Sequence, residues 1–327
     1  MTTSKPRPRL PLGTPVGEAW PDLVDTHLDV GGRRLRVLSA PGRHGRGPGR
    51  PQLLVHGLGG SSVTWVQVMS GLAIDGPVVA LDLPGFGATP TLPGEPLDVD
   101  AYADLVIAAA DALGWSTFTL HGNSMGGLVS LLAAAAHPDR VERLVLVSPA
   151  LPPRSPLSLL VPNRATLTGM TPIVSSVASA AALGLIGAVP EALDQRRKRA
   201  LLGLIFGSPD DVDPALLSLM AREFGEREGV DAADRRRALL SSLGSITCSW
   251  INPRRVWRAI DAVVAPTMIL GGTADALVPA RVLRQALERR PDWQGHVLDD
   301  HRHALMMEAP EAYLDLVEKW TRGRSAA

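Results

Sequence analysis

The sequence has few of the residues that mark several large classes of protein. Cys248 is the only cysteine, which excludes an intramolecular disulfide and a cysteine-based metal site. Basic and acidic residues number 33 each, and aromatic residues make up 4% of the chain, so the composition does not indicate nucleic-acid binding. We therefore expect no metal, no cofactor and no nucleic acid, and a small molecule as the binding partner.

Long apolar runs are also scarce. Residues 165–190 contain no charged residue, and their number would suffice to span a bilayer. The stretch holds three threonines and three serines, with Gly169 and Pro172 interrupting its first half. Because this composition is small and mildly polar, we interpret the stretch as buried or pocket-lining helices and expect no stable membrane span.

The N-terminal residues are rich in proline and basic side chains. They lack the apolar core of a signal peptide, so residues 1–20 are predicted to be a disordered lead-in. We accordingly expect the protein to be cytoplasmic.

Strand-like and helix-like segments alternate along most of the chain, as a mostly parallel sheet flanked by helices requires. Gly31-Gly32 between two strand-like runs predicts a hairpin, and a final helix is predicted over residues 305–322. The alternation stops between residues 148 and 247, which contain nine prolines and no clear strand pattern. The predicted organisation is one α/β core, residues 21–147 and 248–327, with a mostly helical insertion at 148–247.

The most informative stretch is Gly122-Asn123-Ser124-Met125-Gly126, which has the pattern Gly-x-Ser-x-Gly. An alternating strand-like run precedes it and an Ala/Leu-rich helical segment follows. This context is typical of a nucleophile elbow, a tight turn that holds a serine in a sparsely populated backbone conformation. Gly122 and Gly126 lack a Cβ and so permit the turn. Ser124 is the predicted nucleophile.

A nucleophilic serine needs a base and an acid that orients the base, on loops at the carboxyl ends of the strands. His301 and His303 both follow the last predicted strand, and their spacing does not separate them. Asp275 follows the preceding strand through Gly271-Gly272-Thr273 and is the predicted acid, although an aspartate there could also cap a turn. The aspartates at 299 and 300 are expected to be solvated.

A glycine-rich loop, His56-Gly57-Leu58-Gly59-Gly60, follows the strand at 52–55. We predict an oxyanion hole formed by the backbone N–H of Leu58 and that of Met125, which begins the helix after Ser124. A phosphate-binding loop would need Gly-Lys-Ser/Thr, and none follows here. Trp65, close by, is expected either to line the substrate pocket or to pack in the core.

With these residues in place, the chain resembles the α/β-hydrolase superfamily across residues 26–320. The order Ser124, Asp275, His303 agrees with that family. So do four short motifs: His56-Gly57, Asp82-Leu83-Pro84-Gly85-Phe86-Gly87, Gly122-Asn123-Ser124-Met125-Gly126-Gly127 and His137-Pro138-Asp139-Arg140-Val141.

The resemblance favours His303 over His301. The family's histidine is followed five residues later by Glu and then by x-Pro, as His303 is by Glu308 and Pro310. Arg302 departs from the glycine that usually precedes this histidine. The family's fold also implies that residues 148–247 form a cap over the active site.

The resemblance implies a serine hydrolase that forms an acyl-enzyme from a carboxylic ester, with an apolar acyl group if residues 165–190 line the pocket. The meta-cleavage C–C bond hydrolases share Gly-Asn-Ser-Met-Gly-Gly and remain an alternative, but they tend to have Trp where this chain has Ala304. Haloalkane dehalogenases and epoxide hydrolases of this fold carry Asp in place of Ser124. A non-catalytic receptor of the same fold would often have lost a triad member, and this chain has lost none.

Overall fold

The computed structural model describes residues 13–42, 49–154, 212–225 and 231–323. Within these ranges the strands are β1 (Thr14–Pro15), β2 (Val24–Val30), β3 (Arg33–Ala40), β4 (Gln52–Val55), β5 (Val78–Leu81), β6 (Phe118–Asn123), β7 (Val141–Val147), β8 (Thr267–Gly272) and β9 (Gln294–Leu298). They form a single nine-stranded sheet in the order β1-β2-β3-β5-β4-β6-β7-β8-β9. The pairings from β1 to β5 are antiparallel, and those from β5 through β4 to β9 are parallel. The predicted mostly parallel α/β sheet is confirmed.

Helices cover both faces of this sheet. In the described ranges they are α1 (Val66–Leu72), α2 (Val99–Ala112), α3 (Met125–Ala136), α4 (Pro214–Gly225), α5 (Ala232–Ile251), α6 (Arg254–Ala262), α7 (Ala280–Arg289), α8 (Leu305–Glu308) and α9 (Pro310–Gly323). Apolar side chains of α2, α3, α6 and α7 fill one buried cluster, and those of α1, α4, α8 and α9 fill the other. Burial on both faces explains why the central strands are continuously apolar instead of alternating.

The predicted hairpin joins β2 and β3. Strands β2 and β3 pair from Val30 opposite Arg33 outward, and Gly31 and Gly32 have φ of 61° and 83°. Two positive φ angles in a two-residue loop define a type I′ turn, which matches the twist of the strands. The ordered sheet starts before the predicted boundary at residue 21, because β1 already pairs with β2. Residues 1–12 of the predicted disordered segment lie outside the described residues.

The C-terminal helix differs from the single helix over 305–322 that the sequence predicts. It is broken into α8 and α9 at Ala309, whose φ of −141° and ψ of 63° are not helical. Pro310 is the physical reason, because its ring excludes the helical conformation from the residue before it, whereas proline is well tolerated at the first position of a new helix.

Only part of the predicted insertion at 148–247 can be described. Residues 155–211 and 226–230, including the uncharged stretch 165–190, lie outside the described residues. Helix α5 runs across the predicted boundary at 248. It packs on the core, where Ala238 is fully buried and the Ser242 hydroxyl donates to the Leu97 carbonyl at 3.1 Å. Of the helices in the described ranges, none has both the length and the apolarity that a membrane crossing requires.

A buried polar chain links β6 to its neighbours. The Tyr313 hydroxyl donates to His121 Nδ1 at 2.6 Å, and His121 Nε2–H donates to Gln52 Oε1 at 3.0 Å. These roles follow from Gln52 Nε2, which donates to the Leu72 carbonyl and so leaves the Gln52 oxygen as the acceptor. Burial lowers the pKa of His121 to about 3, so this imidazole is neutral.

The low pKa of His121 predicts that the protein loses stability in mild acid. An unfolded histidine titrates near pH 6.5 and His121 in the fold only near 3, so below pH 6.5 the unfolded chain binds a proton that the folded chain excludes. The free energy of unfolding should therefore fall by about 2 kcal/mol between pH 7 and pH 5 on account of this residue, at about 1.4 kcal/mol per pH unit below 6.5. Urea unfolding across this range measures the loss.

The control is a pair of substitutions. His121→Gln should be less stable at pH 7 but should lack this part of the pH dependence, whereas His137→Gln, at the end of α3, should keep it. An identical pH slope in His121→Gln and in the unaltered protein would show that His121 is not the titrating group.

Candidate active site

Ser124 lies in a strained turn between β6 and α3. Its φ of 56° and ψ of −117° fall outside the regions that non-glycine residues usually adopt. The glycines on either side are required by close packing: a Cβ on Gly122 would stand 2.2 Å from the Gly126 carbonyl oxygen, and one on Gly126 would stand 2.3 Å from the Val55 carbonyl oxygen. The start of α3 therefore rests directly on the end of β4, with no side chain between them.

Asp275 and His303 form a buried hydrogen-bonded pair. Asp275 follows β8 and His303 follows β9, and the His303 Nδ1–H donates to Asp275 Oδ2 at 2.9 Å. The other carboxylate oxygen accepts the N–H groups of Leu277 at 2.8 Å and Val278 at 2.9 Å. Burial opposes ionisation of this carboxyl, but the electrostatic interaction and hydrogen bond with His303 and the N–H of Val278 hold the pKa of Asp275 below its usual value. An ionised Asp275 can orient His303 with its Nε2 free to accept a proton.

The neighbouring histidine has a different environment. His301 Nδ1 is hydrogen-bonded to the Asp299 carbonyl at 2.7 Å, on the exposed side of the same loop. Asp299 and Asp300 are exposed, as the sequence predicts. Of the two candidate bases, only His303 is paired with a buried carboxylate in the described residues.

Asn123 joins the elbow to the loop that carries His303. Its side-chain Nδ2 donates to the carbonyl of His303 and to that of Val147, each at 3.2 Å. Within the described residues the Ser124 hydroxyl makes no hydrogen bond to His303, a contact that often tightens only once substrate is bound. The sequence contains Asn123 in the elbow motif, but sequence reasoning assigned it no role, since its bonding partners are distant along the chain.

The glycine loop after β4 approaches the elbow closely. A Cβ on Gly57 would stand 3.0 Å from Ser124 Cβ and 3.1 Å from Asn123 Oδ1. Neither the Leu58 N–H nor the Met125 N–H has a hydrogen-bond partner among the groups that the structure describes. Met125 opens α3, where the helix dipole favours negative charge. The two predicted oxyanion donors are thus N–H groups without a partner in the described residues, on segments that meet at Ser124.

His56 fixes the start of this loop. Its Nε2 accepts the N–H of Leu83 at 3.1 Å, and its Nδ1 donates to the Gly57 carbonyl at 2.7 Å. Both ring nitrogens are therefore used in holding backbone.

Trp65 lies in the core instead of in an open pocket. Its side chain is fully buried, with its ring centroid 6.4 Å from that of His121 and 6.2 Å from that of Tyr313. This position supports the interpretation that Trp65 packs the core. In the part of the chain that the structure describes, no three side chains of the metal-ligating types come together.

Comparison with known proteins places these features in a family. A family model described as the α/β hydrolase fold matches residues 51–310. A dihydrolipoyllysine-residue acetyltransferase component of the acetoin cleaving system from Pseudomonas putida is 30% identical over 285 residues, 86% of this chain and 65% of that protein. A pimeloyl-[acyl-carrier protein] methyl ester esterase from Neisseria meningitidis is 27% identical over 279 residues, 83% of this chain and 76% of that protein.

Solved structures give the same fold. The 2-hydroxy-6-oxo-6-phenylhexa-2,4-dienoate hydrolase BphD from Rhodococcus sp. strain RHA1 has a TM-score of 0.69 at 18% identity. The similarity covers 92% of this chain and 99% of that one. At this identity it demonstrates a shared fold and carries no information about the substrate.

The packing at Gly126 predicts a sharp difference between two glycine substitutions. Gly126→Ala would force a Cβ into the carbonyl oxygens of Val55 and His56, and should destabilise the protein by about 1–3 kcal/mol. Gly244→Ala, in the exposed interior of α5 with open space around it, should instead stabilise it by about 0.4–1 kcal/mol. Urea denaturation of both variants measures the two effects, and equal effects would mean that α3 does not rest on β4 in solution.

Proposed function

Since this chain belongs to the α/β-hydrolase fold family and is one of its hydrolases, we propose that it cleaves a carboxylic ester through an acyl-enzyme on Ser124. The single observation that carries this proposal is the buried His303–Asp275 pair on the loops beside the strained elbow. A serine hydroxyl is a poor nucleophile at neutral pH, and a carboxylate-oriented imidazole is the group that activates it.

In the proposed first half-reaction, Ser124 Oγ attacks the ester carbonyl carbon. His303 Nε2 takes the serine proton, and Asp275 stabilises the imidazolium through its bond to Nδ1. The carbonyl oxygen becomes an oxyanion that accepts the N–H groups of Leu58 and Met125. Collapse of this intermediate expels the alcohol, which receives its proton from His303 and leaves the acyl group on Ser124.

In the second half-reaction a water molecule replaces the alcohol. His303 removes a proton from the water as it attacks the acyl carbonyl, and returns that proton to Ser124 Oγ when the acid is released. The oxyanion donors act again on the second tetrahedral intermediate. All proton transfers in this scheme use one imidazole, so no metal or organic cofactor enters it.

The choice of an ester as substrate is supported by two observations. The neisserial relative is a methyl ester esterase, and it resembles this chain over most of both lengths. Ala304 follows His303, where the C–C bond hydrolases tend to have tryptophan. The preference for an apolar acyl group depends only on the uncharged composition of residues 165–190, which lie outside the described residues.

Hydrolysis of p-nitrophenyl esters from acetate to palmitate tests the proposal. Ser124→Ala and His303→Gln should each lower kcat by about 10⁴-fold or more, because each removes a member of one proton-transfer unit. His301→Gln, two residues from His303, serves as the matched control and should retain nearly full activity. An optimum at medium or long acyl chains is expected from an apolar pocket.

Other outcomes would contradict the proposal in distinct ways. Equal slow turnover by the unaltered protein and Ser124→Ala would mean that ester hydrolysis is not its chemistry. Turnover of a dienol diketone with little ester activity would assign the C–C bond reaction instead. A flat dependence on acyl length would overturn only the apolar pocket.

A further inference from the structure

Arg36 lies at the centre of a buried cluster of charges, and the mechanism above gives it no role. It is in β3 and only 3% exposed. Its guanidinium binds Asp25 of β2 through two hydrogen bonds, of 2.9 Å from Nε and 2.7 Å from Nη2. It also contacts Asp82, which follows β5, and Glu223, which lies in α4. One cation thus joins three carboxylates from separate parts of the chain.

On its buried side, the cluster binds Ser62, just after the C-terminal end of the glycine loop. Asp82 is fully buried, and its Oδ1 accepts the Ser62 N–H at 2.6 Å. Arg36 Nη1 donates to the Ser62 hydroxyl at 2.9 Å and to Asp82 Oδ2 at 3.2 Å. Burial opposes ionisation of this carboxyl, but the Arg36 charge, together with the N–H groups of Ser62 and Ala88, holds the pKa of Asp82 below its usual value. Ser62 comes two residues after the last glycine of the loop.

The N-terminal end of the same loop, at His56, is bound by the residue that follows Asp82. Leu83, directly after Asp82, donates its N–H to His56 Nε2 at 3.1 Å. Residues 57–60 are therefore anchored at both ends by the Asp82-Leu83 pair. A shift of this pair would move the Leu58 N–H relative to Ser124.

Glu223 binds Arg36 on the more exposed side of the cluster. Its Oε1 accepts from Arg36 Nη2 at 2.8 Å, and its Oε2 lies 3.4 Å from Nη1. A guanidinium has five N–H donors in a rigid fork, and all of its nitrogens face acceptors here. Asp25 and Glu223 together fix the plane of the fork and so keep Nη1 directed at Asp82 and Ser62. Glu223 is the carboxylate that bridges Nη1 and Nη2, so loss of its charge weakens the hold on Nη1.

We propose that Arg36 is a positioning residue through which Glu223 of helix α4 sets the position of the oxyanion loop. The assignment of residues 57–60 as that loop depends on the ester-hydrolase function proposed above. The contacts of Arg36 themselves do not depend on it. Arg36 touches no reacting atom, so its effect passes through Asp82 and Ser62.

Glu223→Gln is the first test, since it keeps the size of the side chain and removes its charge. We expect kcat for a p-nitrophenyl ester to fall by about 10-fold, less than the 10²–10³-fold that loss of a whole oxyanion donor costs. KM should stay within about twofold, because oxyanion contacts form only in the transition state. Amide hydrogen exchange should quicken at residues 57–62 as well as at 214–225.

Two further variants separate positioning from folding. Arg36→Lys keeps the positive charge that buried Asp82 requires but loses the planar fork. The protein should therefore fold, and its kcat should fall at a nearly unchanged KM, as in Glu223→Gln. Arg289→Gln removes an exposed ion pair with Asp261 and should change neither kcat nor exchange at 57–62.

The outcomes are distinguishable from failure of the proposed function. Faster exchange confined to 214–225, with unchanged exchange at 57–62, would overturn the role of Arg36 and leave Glu223 as a local support of α4. If the unaltered protein hydrolyses no ester, the proposed function fails, and exchange at residues 57–62 in Glu223→Gln still decides whether α4 acts on this loop.

Discussion

The contact between the start of α3 and the end of β4 is the constraint on which the rest of this site depends. It exists only because Gly126 has no side chain, and it lays the start of α3, which Met125 opens, against the carbonyl groups of Val55 and His56 directly before the glycine loop. The turn that permits it holds Ser124 at a positive φ, at a cost of about 1–3 kcal/mol. Continuous packing on both faces of β6 maintains that conformation. Strain at the serine and close approach of the glycine loop are therefore two results of one packing arrangement.

Two buried carboxylates flank this arrangement and are neutralised in different ways. Asp275 is paired with an imidazole that can gain and lose a proton, whereas Asp82 is paired with a guanidinium that cannot. A buried charge without a partner is costly, so neither member of a pair can move away from the other without a large loss of stability. The first pair suits proton transfer. The second suits a permanent support for backbone.

The sequence predicted those features that have a local signal. The strands were recognisable as short apolar runs between turns, and the elbow from two glycines around a serine at a strand–helix junction. Helix α5 lacks a clear local signal, since Gly244 and the serines of the helix weaken the helical pattern, and its packing against α2 is a tertiary contact. The break at Ala309 does have a local signal, because Pro310 favours a helix boundary. The apolar periodicity of residues 305–322 instead favours one continuous helix, and the prediction followed the periodicity.

Contacts between residues that are distant along the chain have no recognisable pattern in the sequence. Arg36 and Glu223 are 187 positions apart, and Asn123 and His303 are 180 apart. Each residue type is common on protein surfaces, so neither pair could be recognised without the fold. The choice between His301 and His303 was of the same kind: the spacing left both open, and a family motif was needed to favour one.

The geometry offers an independent argument for His303 as the base. Three histidines lie near the elbow, and the structure uses their ring nitrogens differently. In His56 both nitrogens hold backbone groups, and in His121 both belong to a buried side-chain chain that keeps the ring neutral. In His303 one nitrogen is bound to Asp275, and the other makes no hydrogen bond within the described residues. A general base needs one nitrogen oriented by an acid and one free for the proton, and of these three rings His303 alone meets both conditions.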